Sequence, residues 1–113
     1  MKSKKKKIEV EPVNRHKVMR ELYRNYMQFR EYVRATGETT IEYRDVGISF
    51  YDLGMGLNEL SPRKKEAFYL NVILDKKQKD VAEIMGITTV SVGQYVEAAS
   101  KQLADIYFGE SDE

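Results

Sequence analysis

The side chains of this sequence with the clearest chemistry lie between residues 79 and 96. Amide, hydroxyl and methyl groups are concentrated there, and these groups can read base edges in a DNA major groove: glutamine suits adenine, and threonine or valine methyls can meet thymine methyls. Residues 88–95 carry no charge, so the arginine–guanine contact is excluded from them. The base-reading set that we predict is Thr88, Thr89, Val90, Ser91, Gly93 and Gln94.

Lysines and arginines precede this stretch in two short groups. Such positions before and between the helices of a DNA-binding motif face phosphates, and six engaged cations would make binding strongly salt-dependent. An ordinary solvated surface is the alternative for any single lysine, but the clustering favours phosphate contact. The phosphate set that we predict is Arg63, Lys64, Lys65, Lys76, Lys77 and Lys79.

Catalytic and metal-binding chemistry has little support in the sequence. There are no cysteines, which excludes thiol nucleophiles and zinc–thiolate sites, and the single histidine, His16, argues against multi-histidine metal sites and a serine–histidine relay. The spacing of Asp75, Asp80 and Glu83 matches no calcium or magnesium loop. We therefore expect a protein that is not an enzyme, with no metal and no cofactor.

Charge is distributed unevenly along the 113 residues. Residues 1–48 contain 12 Lys/Arg and 7 Asp/Glu, whereas residues 49–113 contain 7 and 11, and the net charge is +1. A basic first half indicates a segment that faces a polyanion. No apolar run approaches the ~20 residues of a membrane span, and no apolar segment follows the lysine-rich start. We expect a soluble, cytoplasmic protein with no membrane partner.

The elements that must position these residues are helices, and the predicted fold class is all-α. Ser49 with Asp52 forms a capping box, Ser61 precedes a proline, and Thr88 can cap a further helix that follows Gly86. Apolar residues recur at helical spacing after each signal. The predicted helices lie near 14–36, 50–59, 62–74, 78–85 and 89–107.

The domain organisation follows from these elements. Residues 1–13 are predicted to be a basic flexible arm, 14–36 a long amphipathic helix capped by Asn14, 37–48 a linker with room for a short extended piece, 49–108 a helix-turn-helix domain and 109–113 an acidic tail. The apolar stripe of the 14–36 helix must bury against the rest of the chain or against another copy, which makes homo-oligomerisation a candidate role. Its members are Met19, Leu22, Tyr26, Phe29 and Val33.

The helix-turn-helix interpretation depends on two structural residues. Ala82 is small where two helices would cross, and Gly86 permits the left-handed backbone of a tight turn. Apolar residues around them would close a small core and hold the second helix with its N-terminus forward, where it can enter a major groove.

Residues 57–103 resemble the fourth conserved region of bacterial sigma factors and of related phage regulators. The stretch LNELSPRKKEAF at 57–68 resembles their lead-in, DVAEIMGIT at 80–88 resembles their turn, and Gln94 and Leu103 fall at positions that many of them keep. Primary sigma factors carry arginines and a glutamate in the first turn of the recognition helix, where this chain has Thr89, Val90 and Ser91. The resemblance implies a phage- or prophage-type transcription regulator that binds double-stranded DNA, with RNA polymerase as a candidate second partner.

Two other functions are compatible with the same residues. A small terminase subunit also combines a helix-turn-helix with an oligomerising helical segment, although its long helices usually follow the DNA-binding part. A helix-turn-helix with an uncharged second helix could also bind protein instead of DNA. Solution mass separates a regulator, expected as a monomer or dimer, from a packaging ring of many copies.

Overall fold

The computed structural model describes residues 8–109, so the lysine run at 4–7 and most of the acidic tail lie outside the described residues. Six α-helices and one small hairpin make up this part of the chain, which confirms the all-α prediction. The helices are α1 (Arg15–Arg24), α2 (Tyr26–Thr36), α3 (Phe50–Asn58), α4 (Pro62–Phe68), α5 (Gln78–Met85) and α6 (Thr89–Phe108).

Helix α6 is the centre of the fold, because α1, α3, α4 and α5 all pack against it. Its buried face consists of Val92, Val96, Ala99 and Leu103, spaced three or four residues apart as one side of a helix requires. The same helix therefore carries the core of the molecule on one face and is free on the other.

The helix predicted over 14–36 is divided at Asn25, so the prediction of one long helix is wrong. Asn25 has φ −102° and ψ 14°, and its backbone N–H donates to the carbonyl of Leu22 at 3.2 Å. Its side-chain amide also donates to the carbonyl of Glu21 at 3.2 Å. Asparagine competes in this way with the regular helical hydrogen bonds, and α2 starts at the next residue, Tyr26.

An aromatic cluster joins α1, α2, α3 and α4. Tyr26 stacks on Phe50 with ring centroids 5.1 Å apart, and Phe29 meets the same ring edge-on at 5.2 Å. Tyr23 packs edge-on against Phe68 at 5.3 Å. Such pairs add to the free energy gained by burying the rings, so the cluster fixes α1 and α2 against α3 and α4.

The apolar stripe of α1 and α2 is covered mainly by the chain itself. Met19, Leu22, Tyr23 and Phe29 are all at most 5% exposed, with α1 packed on α6 and α2 on α3. A second copy of the chain is therefore not needed to bury the stripe.

The segment predicted as a linker at 37–48 contains a β-hairpin of β1 (Thr40–Tyr43) and β2 (Val46–Ser49). Arg44 and Asp45 form its turn with φ +52° and +65°, the pair of positive values that a two-residue turn of this hand requires. Val46 and Ile48 point into the core and are 3% and 0% exposed.

Helix starts agree with the sequence at some positions and differ at others. The Ser49 hydroxyl accepts a hydrogen bond from the backbone N–H of Asp52 at 3.3 Å, as predicted. Asn14 and Ser61 occupy N-cap positions without a side-chain hydrogen bond, so their predicted capping bonds are absent. At the start of α4, Pro62 supplies a preset helical φ instead.

The arm predicted at 1–13 is not free over its second half. Ile8 is 3% exposed and belongs to the core, and Val10 packs against it. A short 3-10 turn at Pro12–Asn14 then leads into α1. Burial of one large aliphatic side chain is enough to tether a short segment, which the charge-rich composition of residues 1–13 concealed.

Candidate nucleic-acid interface

The turn between α5 and α6 has the geometry that a helix-turn-helix needs. Gly86 has φ +69°, and the N–H of Ile87 donates to the carbonyl of Ala82 at 3.0 Å while that of Gly86 donates to Glu83 at 3.3 Å. These paired bonds close the end of α5 and reverse the chain within three residues. Ala82 is 6% exposed, so it lies in the packed region beside the turn.

Thr88 and Ser91 of the base-reading set hold the start of α6. The Thr88 hydroxyl oxygen accepts a hydrogen bond from the backbone N–H of Ser91 at 3.0 Å, and the hydroxyl donates to the Ser91 Oγ at 2.9 Å. This cap satisfies one of the free donors of the first turn. It also engages both hydroxyls, which leaves Thr89 as the unengaged hydroxyl of the set.

The remaining members of the set lie on the first two turns of α6. Thr89, Val90 and Gln94 are exposed, and Gly93 is half-buried. Val90 is 69% exposed, although burial of its apolar side chain would be favourable. Val90, Gly93 and Gln94 therefore line one open surface of α6, and Thr89 is exposed on the first turn.

Gln78, which the sequence analysis did not select, lies against this surface. Its amide oxygen is 3.5 Å from the position that a Cβ would occupy on Gly93. The amide at the start of α5 therefore lies beside the second turn of α6. Its place between Lys77 and Lys79, at the first residue of α5, was the signal that could have identified it.

The three lysines around Gln78 are placed by an irregular end of the preceding helix. Helix α4 continues as a π-helical turn at Tyr69–Ile73, and Asp75 follows with φ +59°. The Asn71 amide donates to the carbonyl of Lys76 at 2.8 Å and fixes the loop. Within residues 8–109, Lys76, Lys77 and Lys79 are exposed and make no ion pair, so their charges are available to an anion.

The other half of the phosphate set lies on a different side of α6. The Lys64 ammonium donates to the Gln102 side chain at 3.0 Å, that of Lys65 donates to Asn58 at 3.1 Å, and Arg63 is 4.0 Å from the Glu66 carboxylate. Two of these cations thus bond to neutral amides and keep their charge. The structure divides the set into a group beside the recognition face and a group further along α6.

The comparison with protein families matches residues 52–103 to the family described as Sigma-70, region 4. Residues 52–103 form a sigma-70 region 4-like domain. The resemblance predicted from the sequence is thereby confirmed, and domains of this kind are typically DNA-binding helix-turn-helix units of transcription-related proteins. No curated protein and no solved structure matches the chain.

The sigma-70 region 4-like domain covers α3 to α6, except for the first two residues of α3 and the last five residues of α6. Helices α1 and α2 and the hairpin precede the match and pack on it.

Throughout residues 8–109, no group of three His, Asp or Glu residues could hold a metal ion. In the same range no helix is long and apolar enough to cross a bilayer.

Proposed function

We propose that this chain is a sequence-specific transcription regulator that binds double-stranded DNA through the first turns of α6. The observation that carries the proposal is an uncharged, exposed recognition surface beside Lys76, Lys77 and Lys79, on a domain of the sigma-70 region 4 family. Neutral hydrogen-bonding groups read bases without excess attraction to phosphate, and the neighbouring cations supply the affinity that does not depend on sequence.

The roles within the interface follow from the contacts. Gln94 and Thr89 offer free amide and hydroxyl groups to base edges, and Val90 offers methyl groups to thymine. Thr88 and Ser91 act through the cap, because their hydroxyls bond to each other. The Gln78 side chain lies against Gly93 of α6, which places its amide where it enters the groove together with the helix.

We further propose RNA polymerase as a second partner and a phage or prophage regulatory context. Support comes from the transcription-related family to which the domain belongs. A DNA-packaging oligomer and a purely protein-binding helix-turn-helix are the competing functions. The intramolecular burial of the α1 and α2 stripe favours the regulator over a packaging ring.

Genome-wide occupancy of the tagged chain, with RNA polymerase scored in the same purification, tests the proposal. Discrete occupied sites next to transcription starts, with polymerase recovered, are the expected result. Uniform or absent occupancy would refute sequence-specific binding. Solution mass measured on the same protein should give a monomer or dimer, and a ring of many copies would support packaging instead.

A further inference from the structure

A second group of cations lies outside the sigma-70 region 4 match. Lys17, Arg20 and Arg24 of α1 and Arg44 of the hairpin turn form what we call the α1 basic patch, and they line a shallow concavity of about 510 Å³. The carboxylate in this lining, Glu21, accepts hydrogen bonds from Tyr43 and from Arg44, the latter at 3.5 Å. Most of the positive charge of the patch is therefore not neutralised.

The patch is a continuous stripe along α1. Lys17, Arg20 and Arg24 are spaced by three and four residues, which places them on one side of the helix. In the described part of the chain Lys17 and Arg24 are exposed and make no ion pair. Like charges held close together repel one another, and a polyanion removes that cost when it binds.

Two side-chain bonds define where the patch lies relative to α6. The Arg20 guanidinium donates to the Ser100 hydroxyl at 3.2 Å, and on α4 the Lys64 ammonium donates to Gln102 at 3.0 Å. Residues two apart in a helix point about 200° apart around its axis. Helices α1 and α4 therefore bring cations to opposite flanks of α6.

The free face of α6 lies between these flanks. Val90, Gln94, Glu97 and Lys101 follow one another at helical spacing on this face. His16 of α1 lies beside it: partial burial lowers the pKa of His16, the Arg20 charge lowers it further, and Glu97 of α6 raises it. Arg20, the member of the α1 basic patch that bonds to α6, thus lies beside the helix that carries the base-reading set.

The distances along α6 are short on the scale of a DNA groove. Ser100 lies six residues beyond Gln94, which is about 9 Å along the axis of a helix. The major groove is about 12 Å wide, so long cationic side chains on either flank of an inserted helix can reach the phosphates that border it. A flat acidic protein surface would not require cations on both flanks.

We propose that Lys17, Arg20, Arg24 and Arg44 form a second phosphate-binding surface, which holds the DNA backbone on the flank of α6 opposite α4. This inference rests on the proposed DNA-binding function and assigns to the elements before the family match a direct part in it. The surface adds affinity without adding sequence preference, because phosphates are the same at every step.

The test compares Arg24→Ala with Arg34→Ala, two exposed arginines on neighbouring helices, of which Arg34 lies outside the patch on α2 and pairs with Glu31. Lys17→Ala is a second patch variant. Binding is measured across a salt series on a duplex selected from random sequence by the unmodified chain and on its scrambled version, after thermal melts show that each variant is folded.

Each patch variant should make the slope of log affinity against log salt shallower by about one unit on both duplexes, with the ratio between the duplexes unchanged. Arg34→Ala should leave the slope as it is. If the unmodified chain binds its selected duplex while Arg24→Ala and Lys17→Ala behave like Arg34→Ala, the inference is wrong and the proposed function stands. If the unmodified chain binds no duplex, both fail. Loss of RNA polymerase recovery with intact DNA binding would make the patch a protein-binding surface and overturn the inference.

Discussion

Tyr23 shows how much of this fold depends on a single side chain. It is 1% exposed, and its hydroxyl donates to the carbonyl of Leu53 at 2.7 Å, which joins α1 to α3. Burial raises the pKa of the Tyr23 phenol well above its ordinary value, and the nearby Tyr26 and Asp52 raise it further. The buried carbonyl of Leu53 depends on this donor, since a buried polar group without a partner is costly.

Replacement of Tyr23 by phenylalanine should lower the free energy of unfolding by about 1 kcal/mol at neutral pH, through loss of this hydrogen bond. Because the folded pKa lies above the unfolded value of about 10, the tyrosine contributes stability below pH 10 that is lost as the pH rises further. Denaturant unfolding at pH 7 to 11 should therefore show a weaker alkaline loss for Tyr23→Phe than for the unmodified chain.

Tyr51→Phe provides the matched control, because Tyr51 is 62% exposed. Its stability should equal that of the unmodified chain across the same pH range. An identical alkaline slope for Tyr23→Phe would show that the phenol of Tyr23 is not held in the protonated form by the fold.

The sequence predicts a recognition surface on the first turns of α6 but does not predict which of its side chains bond to each other. The composition of residues 88–94 indicated base reading, yet the mutual hydrogen bond of Thr88 and Ser91 appears only in three dimensions. Gln78 escaped notice because an exposed glutamine has no periodic or capping signal of its own. The sequence predicts the phosphate set as one group, and its division into two groups depends on how α4 packs.

At the scale of elements, the two glycines of α3 differ in purpose. A Cβ at Gly56 would lie 3.0 Å from the Tyr23 hydroxyl and 3.1 Å from a methyl group of Leu103, whereas a Cβ at Gly54 would lie 3.4 Å from the Tyr26 hydroxyl. Gly56 therefore allows α3 to approach α1 and α6 closely. The sequence showed only that both glycines weaken a helix.

Gly56→Ala should destabilise the chain by about 1–3 kcal/mol, because Tyr23 or Leu103 must shift in a packed core. Gly54→Ala should be neutral or should stabilise by up to about 1 kcal/mol through better helix propensity. Thermal and denaturant unfolding of the pair measures both effects. Equal behaviour of the two variants would contradict the close approach at Gly56.

The turn before α6 gives a second test of an element. No atom lies within 4 Å of a Cβ built on Gly86, so any cost of a side chain comes from the positive φ of +69°. Gly86→Val should lower the free energy of unfolding by more than about 1 kcal/mol, and Gly86→Asn should lower it less, because asparagine tolerates this conformation. Equilibrium unfolding distinguishes the two, and a valine variant as stable as the asparagine variant would argue against backbone strain.

Helices with capping residues and a regular apolar stripe could be predicted from the sequence to within a few residues, as α5 and α6 show. The break between α1 and α2 at Asn25 could not be predicted from the sequence, because the apolar stripe continues through it and asparagine is tolerated in helices. The hairpin was missed as an element because its turn, Arg44 and Asp45, lacks the glycine or asparagine that usually marks one.

At the scale of the whole molecule, α6 combines the core and the recognition surface in one rigid element. Four other helices hold its buried face, and one cation of α1 and one of α4 bond to it at Ser100 and Gln102. The predicted base-reading residues lie on a helix that is fixed in this way, so they keep their positions when DNA binds, which favours specificity. The uneven charge of the sequence indicates a polyanion partner. In the structure, most of the cations of α1 lie on one side of α1.

The central claim is that α6 reads bases while the lysines beside it hold phosphates, and it is tested most directly by comparing Gln94→Ala with Lys77→Ala. Both side chains are exposed, so neither change should disturb the fold. Affinity is measured across a salt series for the selected duplex and its scrambled version. Gln94→Ala should cost about 1–3 kcal/mol on the selected duplex and little on the scrambled one. Lys77→Ala should weaken both alike and make the salt slope shallower by about one unit. Identical behaviour of the two variants, or equal binding of all duplexes by the unmodified chain, would contradict base reading by α6.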